Sequence, residues 1–402
     1  MTRVAVPSIA PRDILAEQTL LLACSRTHID PETDQQIREL AGSISHWPFL
    51  MQSASNHKVW PLVYRALAST HPDTLPQTVL DQWRKSYLAH SARNLRMARE
   101  LVRIVQRLES HEIRCLPYKG PVLAESVYGD LSLRQFSDLD ILVSRRDVEH
   151  AVAILKNLGY GLRLEGDVPR AAYLQSMHHY TLARERGGSP LELHWSMSER
   201  YFAFALETEG LWERREIARL IEHDIPTFGA EDNLIALAVH GCKHGWEQLG
   251  LVCDVAELAR HDVDFGAALQ RAHRKGGERM VLLALILSHR LLGRPLADEV
   301  RVRVEADPSA TRLAAQVHAR LFTPGQTPRS ESERVRFFRF HFQARERLRD
   351  RIRSLLHLFF TPSQEDWGSL RLPPSLSFLH YILRPLRLAT KHAGRLFRHS
   401  PH

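Results

Sequence analysis

Cysteine is scarce in this sequence. The 402 residues include four, Cys24, Cys115, Cys242 and Cys253, and no two of them form a C-x-x-C pair. That spacing excludes a zinc ribbon and a disulfide framework, and it predicts reduced thiols in a cytoplasmic protein. Long apolar runs are also missing. The longest, Met280–Ser288 and Leu355–Phe360, fall short of the roughly 18 uncharged residues that a membrane-spanning helix needs. The first twelve residues hold no long apolar core and do not read as a secretory signal. Internal repeats and low-complexity tracts are absent. Net charge is missing from most of the chain, because residues 1–330 hold 40 Lys+Arg and 40 Asp+Glu.

The remaining composition is that of a globular protein, with 44% apolar and 25% charged residues. The length corresponds to roughly two to three domains. Residues 331–402 hold 14 Lys+Arg against 6 Asp+Glu, so the whole net charge of +8 sits in a C-terminal tail. This tail is expected either to present a solvated basic face or to contact an acidic partner.

Periodicity divides the chain into a helical beginning, a mixed middle and a helical end. Residues 13–45 read as helix, Trp47-Pro48 as a break, and 57–68 as a continuation. Residues 78–111 carry one apolar stripe (Leu95, Leu101, Val102, Val105, Leu108) with arginines mostly off it, which is an amphipathic helix on a core. Then the period changes. Ile113–Tyr118 reads as a strand, Val122–Tyr128 as a helix ended by Gly129, and Asp138–Val143 as a strand. A helix capped by Asp147 follows, and Gly159 ends it. Tyr180–Arg184 and Leu191–Trp195 flank Gly187-Gly188 as a hairpin. Helices are expected over Asn233–Trp246, Cys253–His261, Phe265–Lys275, Met280–Leu292 and Ala310–Leu321. A linker is expected at Phe322–Arg329, with tail helices over Ser332–Phe360 and Leu376–Phe397. The predicted class is α+β. A small mixed sheet at 112–200 lies between an N-terminal helical region (1–111) and a helical domain (201–325), and the basic tail (326–402) closes the chain.

Three short stretches carry chemistry. In D-L-D, Asp138 and Asp140 stand two residues apart in a strand and so share one face, with Leu139, Ile141 and Val143 on the other. Two bare carboxylates repel unless a cation lies between them. The pair also fits a turn or a helix cap. Glu192 sits in a second β-like run, L-E-L-H-W; it fits a third carboxylate facing the first two, or an exposed strand position. Three converging carboxylates would hold two Mg²⁺ (or Mn²⁺) ions. In the turn Lys119-Gly120-Pro121, the glycine lets backbone approach phosphate at a helix N-terminus, and Lys119 adds a charge. An ordinary strand-to-helix turn reads the same way. His240 and His244 are i, i+4 neighbours on one helix, followed by Asp254. Three readings stay open for them: two ligands of a zinc site, a helix that closes over a nucleotide with Lys243 or His244 on phosphate or base, or a buried pair satisfied by Asp254 or backbone. His194 shares the face of Glu192 and fits an orienting group.

In order along the chain, these stretches resemble the nucleotidyltransferase superfold of DNA polymerase beta type. The closer similarity is to a bacterial family of uncharacterised nucleotidyltransferases. It rests on YKGPVLAESVYGD (118–130), RQFSDLDILV (134–143), LELHW (191–195), LAVHGCKHGWEQLGLVCDVAEL (237–258) and LPPSLSFLHYILRPLRL (372–388). The resemblance implies Asp138 and Asp140 as ligands of both metals and Glu192 as the acceptor-side carboxylate. It implies Gly120 against the phosphates, and Arg134 either on a phosphate or holding its loop. The implied reaction moves a nucleoside monophosphate from a nucleoside triphosphate to an acceptor, which could be a peptide, a sugar, another small molecule or a protein. One position departs from the family pattern. Pro121 stands where a serine or glycine is usual, and it brings neither an amide donor nor a hydroxyl. That departure keeps a non-catalytic nucleotide- or partner-binding protein as the alternative. A sugar-nucleotide glycosyltransferase using the D-x-D pair fits less well, since it would need a doubly wound domain where the first 110 residues read as helical.

Overall fold

In the computed structural model, apolar side chains recurring every three to four residues build helices at both ends of the chain, around a small sheet. The structure describes residues 11–396 apart from 45, 71, 164–172, 175–176, 185–186, 199–201, 203, 205, 207, 323–330, 363–365, 367–375 and 377–378. The helical beginning comprises α1 (Pro11–Cys24), α2 (Pro31–Ser43), α3 (Trp47–Asn56), α4 (Trp60–Thr70) and the long α5 (Gln77–Glu109). The single helix expected over 13–45 is two. Asp30 caps the second by accepting from the Thr33 N–H at 2.8 Å, and Pro31 occupies its first turn. Trp47-Pro48 starts a helix instead of breaking one, because proline suits a first turn.

The five-stranded sheet contains β1 (Cys115–Pro117), β2 (Leu139–Val143), β3 (Tyr160–Leu162), β4 (His179–Arg184) and β5 (Leu191–His194), in the spatial order β1-β2-β5-β4-β3. Only the central pair β2–β5 is parallel, and its register sets Asp140 beside Glu192. In the antiparallel pair β4–β5, Thr181 lies opposite Glu192 and His179 opposite His194. The sheet is covered by α6 (Gly120–Tyr128), α7 (Val148–Asn157) and the C-terminal half of α5, whose Met97–Leu108 stripe joins Leu139, Ile141 and Val143 in one core. Asp147 precedes α7, but its side chain makes no capping bond; a 3₁₀ turn over Arg145–Asp147 leads into the helix instead. A hairpin that the sequence reading missed, β6 (Glu216–Leu220) and β7 (His223–Thr227), follows the short helix α8 (Thr208–Glu213).

The helical end contains α9 (Ala230–Lys243), α10 (Leu249–Leu258), α11 (Phe265–Lys275), α12 (Glu278–Leu292), α13 (Asp298–Ala306) and α14 (Pro308–Leu321). The nearly all-buried α12 sits among α9, α10, α11 and α14, and these helices share one core with α1–α4. No span matching α13 was expected, because its mostly polar face buries only Val300. The tail gives α15 (Glu331–Ala344), α16 (Leu348–Phe360) and α17 (Leu379–Leu396). The helix expected over 332–360 breaks at Arg345, whose buried guanidinium donates to the Phe202 carbonyl at 3.0 Å and lies over the Phe202 ring. The expected linker lies outside the described residues except for Phe322.

No helix among the described residues is long and apolar enough to cross a membrane.

Candidate active site

The sheet's parallel pair ends at a cavity of about 450 Å³ between the sheet and helices α9 and α10. Its lining includes Lys119, Gly120, Arg134, Asp138, Asp140, Glu192, Lys243 and His244. Side-chain alternation along β2 and β5 explains the acidic part. Leu139, Ile141, Leu191 and Leu193 point into the sheet core, so Asp140, Glu192 and His194 point away from it. Asp138 stands just before β2, at the same mouth. The turn into α6 brings the next piece. Gly120 has φ +56°, and a Cβ placed there would stand 3.3 Å from the Asp138 carbonyl oxygen, so the turn presses against the start of the D-x-D strand.

Charge is closely balanced at the cavity wall. The Lys119 ammonium reaches Asp140 Oδ1 at 2.8 Å. His194 Nε2 lies 3.1 Å from the same oxygen and 3.2 Å from Glu192 Oε2. His179 Nε2 is 3.8 Å from Glu192 Oε1. Burial alone would raise the Asp140 pKa, but Lys119 and His194 outweigh it and hold the carboxyl well below the usual range. For Glu192, burial is likewise outweighed by the His194 hydrogen bond and the charge of His179, and the pKa falls to about 2. Asp138 goes the other way: burial and the neighbouring Asp140 push its pKa up. Burial works against a charge on His194, yet its bonds to Asp140 and Glu192 raise its pKa.

Across the cavity, α10 presents Asp254. Arg134 Nε and Nη2 donate to its two oxygens at 2.7 and 2.8 Å, and the Tyr128 hydroxyl donates to it at 2.6 Å. The guanidinium of Arg134 therefore holds the 130–137 loop to α10. Asp254 bonds to these two groups and does not satisfy the His240/His244 pair. Those two rings pack edge to face at 4.5 Å, and burial, with Lys119 and His244 nearby, pushes the His240 pKa well down. Lys243 Nζ lies 3.3 Å from His178 Nε2. The α9 terminus that carries these groups is shaped by Gly241, since a Cβ there would meet the Trp246 ring at 2.4 Å.

All eight site residues expected from the sequence thus line one cavity. Sequence reading missed four others: His178 and His179, which adjoin His194 through β4; Arg93, which donates to the Phe136 carbonyl at 2.6 Å; and Tyr128 on Asp254. The His178-His179 pair was a readable signal just ahead of a predicted strand.

The donor atoms of Asp140, Glu192 and His194 lie within 4.8 Å of one another. Two hard carboxylate oxygens, with the Asp138 carboxyl at the same mouth, make a donor set that fits Mg²⁺ or Mn²⁺. A family model described as an uncharacterised nucleotidyltransferase matches residues 43–293, a span that contains the sheet, the cavity and α9–α12. No curated protein matches the chain.

Proposed function

Since the chain belongs to this uncharacterised nucleotidyltransferase family, we propose that it transfers a nucleoside monophosphate from a nucleoside triphosphate to an acceptor, releasing pyrophosphate. The observation that carries this reading is the register of β2 on β5. It sets Asp140 directly beside Glu192, with Asp138 at the same mouth. In this reading Asp138, Asp140 and Glu192 hold the divalent ions, Mg²⁺ or Mn²⁺. The chemistry such ions supply is charge neutralisation on the triphosphate and a lowered proton affinity at the acceptor.

The chain's own groups do the rest. Lys119 leaves Asp140 for a phosphate oxygen, and Lys243 and His244 approach the triphosphate from α9. Gly120 keeps the turn low enough for phosphate to approach. Arg134 stays on Asp254 and holds the loop. Glu192, kept ionised by His194 and His179, serves the acceptor side. The acceptor's oxygen or nitrogen bonds to the α-phosphorus as the bond to the bridging oxygen breaks. Pyrophosphate leaves with that electron pair, and the acceptor proton departs past Glu192. The acceptor is a peptide, a sugar, another small molecule or a protein. The basic tail fits an acidic partner, and four buried free cysteines fit a reducing, cytoplasmic setting.

One observation favours a second reading, binding without transfer. Lys119 already neutralises Asp140, and Pro121 removes an amide from the phosphate turn. Incubation with each labelled nucleoside triphosphate, Mg²⁺ or Mn²⁺ and extract of the native host separates the two. Transfer gives a labelled acceptor with stoichiometric pyrophosphate; binding alone retains label on the protein and releases none.

A further inference from the structure

Two of the tail helices, α16 and α17, turn apolar side chains outward. Helix α16 buries Asp350 and Ser354 and exposes Leu348, Ile352, Leu356 and Phe359. Those four follow one another by four, four and three residues, so they form a single stripe along the helix. Leu356 is 54% exposed and Phe359 49%. Phe360 is exposed as well, and α17, which packs against α16, exposes Ile382, Leu383 and Leu386. Arg384 Nε donates to the Leu358 carbonyl at 3.2 Å, which joins the two helices, and Arg384 and Arg387 both pair with the buried Asp366 between them in sequence. The pair is also anchored to the body. Arg345 is buried against Phe202, and the Arg279 N–H donates to Glu346 at 2.8 Å.

The charges around the stripe have one sign. On α16, Arg349 and Arg353 are exposed beside the stripe, whereas none of the described acidic residues of the tail, Glu333, Glu346, Asp350 and Asp366, is fully exposed. An apolar stripe rimmed by arginine on helices too polar to span a bilayer is the composition of an interfacial helix. A second copy fits poorly, because two-fold pairing would set arginine rim against arginine rim. Nucleic acid would leave the apolar stripe wet.

We propose that the α16–α17 pair docks the protein onto the surface of an anionic lipid bilayer, with the stripe among the acyl-chain ends of the headgroups and the arginines on the lipid phosphates and carboxylates. This rests on the reading of the tail as a contact for an acidic partner and names that partner's chemistry.

The test is flotation of the full chain with phosphatidylserine-containing vesicles and with pure phosphatidylcholine vesicles, beside binding to soluble polyglutamate. Binding to the anionic vesicles is expected. It should weaken by roughly tenfold or more as NaCl rises from about 50 to about 300 mM. Leu356→Ser/Phe359→Ser/Phe360→Ser should lose at least about tenfold in vesicle binding and keep its polyglutamate binding. Arg349→Glu/Arg353→Glu should weaken both. All substituted side chains are exposed, so the fold is retained and a melting curve checks it. Polyglutamate binding without vesicle binding overturns the lipid proposal and leaves the acidic-partner reading standing; binding to neither removes both. Vesicle binding unchanged by the triple Ser variant overturns the role of the stripe. Self-association abolished by that variant, with no vesicle binding, assigns the face to a second copy and overturns the proposal.

Discussion

Asp140 and Asp254 face the same cavity from opposite walls. Both are almost fully buried, at 4% and 2% exposure, and each meets a cation at 2.7–2.8 Å. They differ in how completely they are held. Asp254 receives a bidentate guanidinium and a phenol, all from the 128–134 stretch, so both of its oxygens are used on neighbouring chain. Asp140 receives one flexible ammonium and one imidazole at a single oxygen, beside two other carboxylates. A lysine point charge can be exchanged for another cation without dismantling a fork of parallel bonds. The contrast separates a wall tied to neighbouring chain by a fork of bonds from a wall held by one exchangeable cation, although both look alike as buried ion pairs.

The strongest way to break this contrast is to remove the carboxylates of the open wall. Asp138→Asn/Asp140→Asn should lower turnover by roughly 10⁴-fold, about 5.4 kcal/mol at 1.36 kcal/mol per decade. Its unfolding free energy should change by less than about 2 kcal/mol, because relief of like-charge repulsion offsets the lost Lys119 pairing. Pyrophosphate release and a denaturant titration check the two halves. On the closed wall the pattern inverts. Asp254→Ala leaves the Arg134 guanidinium buried and uncompensated, and should cost about 3–5 kcal/mol of stability. A urea midpoint close to that of the parent would show that this pair is not structural.

Glu192 sharpens the division within the open wall. Glu192→Gln keeps volume but removes the charge that we propose serves the acceptor. Single-turnover rates should fall on the order of 10²-fold, near 2.7 kcal/mol, while triphosphate affinity shifts only a few-fold. Equal losses in both would move Glu192 to the nucleotide side.

The smallest effect concerns pH and the closed wall. His57 is buried against Phe322, and its Nδ1 accepts from the Leu249 N–H at the start of α10. Burial lowers its pKa to about 4. The unfolded chain, with a histidine near 6.5, binds the proton first on acidification. The contribution to stability is therefore complete above about pH 6.5 and is lost as pH falls through 4. Between pH 7 and 5 the loss should be about 2 kcal/mol. Denaturant midpoints at the two pH values should lie further apart for the parent than for His57→Gln.

Local periodicity made much of the fold legible. The 78–111 stripe, the D-x-D strand and L-E-L-H all carry their burial pattern within a few residues, and the 33-residue α5 and strands β2 and β5 follow from them. The Asp138, Asp140, Glu192 and Lys119 positions were readable for the same reason. The β6–β7 hairpin was not, because Glu216–Leu220 exposes two of its first two residues and β7 contains Pro226, which mutes a strand signal. The lock of Arg134 on Asp254 joins residues 120 apart, and no local pattern announces such a pairing. The outward apolar side chains of α16 and α17 were hidden too. Apolar periodicity states that one face is apolar, and only packing tells whether that face turns inward.

The central claim is that nucleotide enters at the Asp140 wall together with a divalent ion. It is tested most directly by equilibrium titration of labelled nucleoside triphosphate into the parent and into Asp138→Asn/Asp140→Asn, each with Mg²⁺ and with excess EDTA. The account predicts binding by the parent that EDTA abolishes, and no Mg²⁺-dependent binding by a variant that still melts as a folded protein. Parent-like, Mg²⁺-dependent binding by the folded variant would contradict it and place the nucleotide elsewhere.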